Sequence, residues 1–120
     1  MDGETLARRS LAIDSLYCLA VGTTVYLTRG RLATLVQAKP AVVGSAGLAT
    51  VGWSALVNRL SKRDGWRSVT SLVAVANAAA SAVLLAVALK QPKAAARVVL
   101  VATSADVGAF ALSQAVALRG

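Results

Sequence analysis

The stretch SVTSLVAVANAAASAVLLAVAL, Ser68–Leu89, runs for 22 residues without a charged side chain. Only Asn77, Ser81 and the Ser68, Thr70 and Ser71 hydroxyls at its start interrupt the apolar residues. A bilayer core is about 30 Å thick, and a helix rising 1.5 Å per residue crosses it in about 20 residues. A strand facing water or a barrel lumen would alternate apolar and polar residues, and this stretch does not. A soluble bundle helix would carry a charged face, and this stretch has none.

Three more stretches share the pattern. Pro40–Asn58 has 19 uncharged residues, Ser10–Thr28 has 19 with one charge at Asp14, and Val98–Leu118 has 21 with one at Asp106. Sixteen of the 18 charged residues therefore lie outside the four stretches. Ala, Val and Leu (26, 17 and 17) fill half of the 120 positions, and charged residues are 15% against about 25% in a soluble domain. One Cys and no His exclude a disulfide framework and a His- or Cys-based metal site.

The expected fold is an all-α integral membrane four-helix bundle, up-down-up-down, in one domain spanning 1–120. Its helices fall roughly at 8–28, 40–60, 67–90 and 96–118, with both termini on one side. The first stretch follows Arg8 and Arg9 as a signal peptide would, but it is long and lacks a small-x-small cleavage site, so it reads as a retained helix. Short loops make consecutive helices antiparallel neighbours. The loops are Arg29–Lys39, Ser61–Arg67 and Lys90–Arg97.

The side with the termini and middle loop carries seven Lys or Arg: Arg8, Arg9, Arg59, Lys62, Arg63, Arg67 and Arg119. The other side carries six: Arg29, Arg31, Lys39, Lys90, Lys93 and Arg97. The bias places the termini in the cytoplasm by one residue, a balance that a dual-topology protein would also show. The net charge of +8 is spread over both sides without aromatic interleaving, which suits anionic headgroups and not nucleic acid.

Lipid offers helices no hydrophobic reason to associate, so small residues that permit close approach mark packing faces. Gly44, Gly47 and Gly52 do so on the second helix, Ala74, Ala78 and Ala82 on the third, Ala105 and Ala109 on the fourth. Stripes on three helices point to a homo-oligomer or a larger membrane complex.

Polar side chains within the spans are the candidate site: Asp106, Asn77, Asp14, Gln114 and Tyr17. Asp14 lies roughly 7–8 Å inside the terminal side, five residues past Arg9, and Gln114 lies at similar depth before Arg119, so the first and fourth helices can join them. Asp106 sits near the midplane, with Asn77 offset by about 5 Å, a gap an Asn–Asp hydrogen bond spans. These groups form either a polar cavity for a proton or cation, or interhelical glue. No nucleophile–base pair or phosphate loop is present, so the expectation is a non-enzymatic protein without cofactor or metal.

Length, four helices, Gly22-Thr23-Thr24 and Gly30 are similar to the small multidrug-resistance transporters. That family's essential acid falls where Leu19 stands, and its aromatic binding pattern is absent, so its activity is not implied. The chain resembles more closely small four-helix integral membrane proteins of GC-rich bacteria that have no established function. Asp14, Gly22, the glycines Gly44, Gly47 and Gly52, Asn77 and Gln114 carry this resemblance. Ala80 replaces a common Trp, and Asp106 is atypical. The resemblance implies the membrane of a bacterium. The expected role is a structural or accessory helical module, the alternative a small proton, cation or cationic-solute carrier using Asp106 and Asp14.

Overall fold

The computed structural model describes residues 2–120, and among them every regular element is a helix. They are α1 (Gly3–Leu27), α2 (Arg29–Val36), α3 (Pro40–Leu60), α4 (Trp66–Leu89) and α5 (Ala94–Arg119). All but α2 are long and apolar enough to cross a membrane.

Each boundary has a local cause. Asp2 caps α1 by accepting the Thr5 N–H at 2.7 Å, and that bond holds its carboxyl below the usual range. At Thr28 the backbone leaves helical values (φ −107°, ψ 18°), its hydroxyl donates to the Thr24 carbonyl, and α2 restarts at once. Gln37 ends α2 in the left-handed region, where its N–H and that of Ala38 both reach the Ala33 carbonyl. Pro40 opens α3 at a position where a missing N–H costs nothing. Gly65 supplies the positive φ (77°) before Trp66. The segment 29–39, expected as a plain loop, thus contains a two-turn helix. Only one face of α2 is buried, at Ala33, and its three polar or charged residues kept it out of an apolar-span reading.

Contacts fix the helix directions. Ser10 on α1 meets Ser113 on α5, and Tyr17 meets Asp106, so α1 and α5 run oppositely. Arg8 reaches Ser61 while Gly22 lies on Gly47, so α1 and α3 also run oppositely. Arg67 reaches Leu118 and Ser81 reaches Ser104, which does the same for α4 and α5. Both described termini and the 61–65 turn gather at one end. There Arg8 donates to the Ser61 and Arg63 carbonyls and Arg67 to those of Leu118 and Gly120, occupying carbonyls left open where α3 and α5 stop.

Neighbourhood departs from chain order. α1 packs against α3 and α5 and touches α4, whereas consecutive α3 and α4 do not pack along their length. They meet near the shared end, where Val57 and Val73 close on Leu11, flanked by Trp53 and Val69. Extents of 44 × 24 × 17 Å reflect this flattened arrangement. The expectation that all sequential helices are neighbours is corrected here, because α1 takes the place beside α3 that α4 would otherwise fill.

Small residues act selectively. A Cβ on Gly22 would lie 2.8 Å from the Gly47 carbonyl oxygen, and one on Gly47 would lie 2.8 Å from that of Gly22 and from the Tyr26 amide. Backbones in such contact leave no room for a side chain. A Cβ on Gly44 would meet the flexible Arg29 side chain at 2.9 Å and the Tyr26 ring at 3.8 Å, and Gly52 faces open space. Ala74 is half-buried, but Ala78, Ala82, Ala105 and Ala109 are exposed. The α4–α5 seam runs instead through Ser81, Ser104 and Gly108.

Gly47→Leu should therefore cost about 1–3 kcal/mol, the range for overpacking a filled site. Gly52→Ala should be neutral or stabilising, since it adds a better helix former in open space. Unfolding of the two variants in detergent micelles, followed by helicity, checks the contrast, and equal effects would contradict it.

Candidate functional site

α1, α4 and α5 each send one polar side chain to a common point. Asp14 is 1% exposed, Asn77 4% and Gln114 0%. The Asn77 amide donates to Asp14 Oδ2 at 2.6 Å and to Gln114 Oε1 at 3.1 Å. The Gln114 amide donates to the same Asp14 Oδ2 at 3.0 Å. One turn along α1, the Cys18 thiol donates to Asp14 Oδ1 at 3.4 Å. The carboxylate is thus met by amides from two other helices and a thiol from its own, closing a three-helix ring of hydrogen bonds.

The ring is the centre of a polar ladder. Between α1 and α5 the rungs are Ser10–Ser113 at 2.7 Å, Asp14–Gln114, and Tyr17–Asp106 at 2.8 Å. Between α4 and α5, the Ser81 and Ser104 hydroxyls pair at 3.0 Å, and each lies within hydrogen-bonding distance of the other residue's carbonyl. Thr70 is fully buried, and its hydroxyl has no partner among the described residues.

The sequence-derived pairing is half altered. Asp14 does meet Gln114. Asn77 does not pair with Asp106: it turns toward Asp14 and Gln114. Depth along a helix is countable from sequence, but the direction around its axis relative to neighbours is not. Asn77 lies on the α4 face that looks at α1, while Asp106 lies on the outer surface of α5. Tyr17, on the α1 turn next to Asp14, points away from it to donate to Asp106 Oδ2. Its ring leans on Phe110, centroids 5.4 Å apart. Cys18 joins the ring, and its i+4 spacing from Asp14 was the available signal in the sequence.

Chemically, the ring accepts and donates among itself. No group of three or more His, Cys, Asp or Glu that would hold a metal occurs among the described residues. Surface depressions lie elsewhere, one of about 790 Å³ along Ala55–Arg63 and one of about 340 Å³ at Leu27, Thr28, Gly30 and Arg31. The arrangement joins three helices. Comparison with protein-family models, curated proteins and solved structures gives no match.

Asn77→Leu should destabilise the fold by about 1–3 kcal/mol, because it strands buried groups on Asp14 and Gln114. Asp14→Leu/Asn77→Leu together should cost less than the sum of the single losses, and strict additivity would show that the two side chains do not interact. Thr70→Val should raise stability by about 1 kcal/mol, since it keeps the shape and removes an unpaired hydroxyl. Denaturant titration in micelles reads these three variants and the single Asp14→Leu.

Proposed function

We propose that this chain is a four-helix integral membrane bundle, up-down-up-down. Its role is that of a non-enzymatic structural or accessory module that self-associates or seats in a larger membrane complex. The observation that carries the membrane reading is reversed polarity. Asp14, Asn77, Gln114, Ser54, Thr70 and Ser104 are buried, while Leu16, Leu72, Val75, Leu89, Val98 and Leu112 are 57–74% exposed. Water would place these two sets the other way round, and hydrocarbon accepts them as they are. The Lys and Arg balance of seven to six favours cytoplasmic termini, and the bacterial cytoplasmic membrane is the proposed location.

Association is supported by Asp106. It is exposed on α5, twelve residues from Ala94 and thirteen from Arg119, about 18–20 Å from either helix end. A carboxylate facing lipid at that depth is costly, so a partner surface covers it in the assembled state. Exposed Ala105 and Ala109 beside it allow close approach.

A second reading, a proton or cation carrier, is favoured by the same carboxylate. Tyr17 engages Oδ2 and the described residues place no donor on Oδ1. Liposome flux that disappears in Asp106→Asn would establish it; absence of flux from wild-type protein would end it.

For the leading reading, the protein should pellet with membranes and be released only by detergent. In a Cys18→Ala background, Ala109→Cys should form disulfide-linked dimers in native membranes, and Gly52→Cys, on exposed α3, should not. Monomers from both, with no other subunit cross-linked at position 109, would overturn association.

A further inference from the structure

The end of α3 carries a second feature, separate from the buried ring. Ala55, Leu56, Asn58, Arg59, Lys62 and Arg63 line the larger surface depression. Arg59, Lys62 and Arg63 are exposed and join no ion pair; the ion pair among the described residues is Arg8–Glu4 at 3.0 Å. The neighbouring acid, Asp64, is exposed and pairs with none of them.

A helix C-terminus ordinarily repels anions through its free carbonyls. Here those carbonyls are occupied. Val57 accepts the Ser61 N–H, Asn58 accepts the Ser61 hydroxyl, and Ser61 and Arg63 accept the Arg8 guanidinium. Arg8 thereby adds positive charge where the helix is negative and leaves three cations facing outward. Going away from this end, the outer face of α3 is apolar: Leu56, Gly52, Ala49 and Leu48 are exposed. A Cβ on Gly52 would meet nothing within 4 Å, so the face is shallow there.

We propose that this corner binds an anionic phospholipid, its phosphate held by Arg59, Lys62 and Arg63 and an acyl chain lying along Leu56, Gly52 and Ala49. Guanidinium groups pair with phosphate oxygens through charge-assisted hydrogen bonds, and the Lys62 ammonium adds a point charge. The apolar face continuous with the cations distinguishes a lipid from a free anion, which would use the cations alone. The site lies at the end where the four long helices leave their charge-poor stretches, the level of headgroups in a bilayer. The proposal rests on the membrane reading above.

The test uses the full chain in mild detergent, titrated with phosphatidylglycerol or phosphatidylcholine and read by native mass spectrometry. Phosphatidylglycerol should be retained in preference to phosphatidylcholine. Arg59→Gln/Lys62→Gln/Arg63→Gln should lower its affinity about tenfold or more, the low end of what three surface cations supply. Arg31→Gln/Lys39→Gln/Lys90→Gln removes the same charge from the opposite end and should leave affinity within about twofold if the site is local. All six side chains are exposed, and helicity of the variants confirms folding. Equal losses in both triple variants would overturn a local site in favour of diffuse attraction. Displacement of the lipid by millimolar inorganic phosphate would overturn it in favour of a free-anion site. The membrane reading fails by a different readout, namely chain that stays in the supernatant without detergent.

Discussion

In the hydrocarbon surround proposed for this chain, apolar surface would not hold the helices together, because lipid tails satisfy Leu and Val as well as a neighbouring helix does. Association must come from groups that lipid cannot satisfy and from backbones close enough for dispersion to act. The chain uses both. The Asp14–Asn77–Gln114 ring joins α1, α4 and α5 where any unpaired partner would face an apolar surround. The Gly22–Gly47 contact joins α1 to α3 by direct backbone approach.

α1 is common to both devices, which explains why it, and not chain order, organises the bundle. Along one face it meets α5 through Ser10, Asp14 and Tyr17; at Gly22 it meets α3. The same helix sends Arg8 to the end of α3 and its first residues to the end of α5. The apolar core is small, Leu11, Val57 and Val73, and lies between the ring and the shared end. Polar pairing, glycine contact and this short core therefore occur in sequence along one helix.

The division between inner and outer polar groups bears on function. Asp14 is enclosed by donors and acts within the chain, whereas Asp106 keeps an exposed carboxylate at mid-helix. The sequence separates the two acids by depth, and the structure separates them by surroundings. The basic corner of α3 is different again, since its cations are exposed while Arg8 occupies the carbonyls beside them.

From the sequence alone, runs of 19–22 residues with at most one charge determined the four long helices, their approximate limits and the polar positions within them. Axial depth follows from 1.5 Å per residue, so the meeting of Asp14 with Gln114 was legible. The tertiary structure decided which helices are neighbours and which way each side chain points around its axis. That is why Asn77 closes the Asp14 ring, Tyr17 turns to Asp106, and Ser81, Ser104 and Gly108 form the seam in place of the alanine stripes. The physical reason is that hydropathy is uniform around these helices. With no polar face to orient a helix against water, only the mutual fit of glycines and hydrogen-bonding groups sets its rotation.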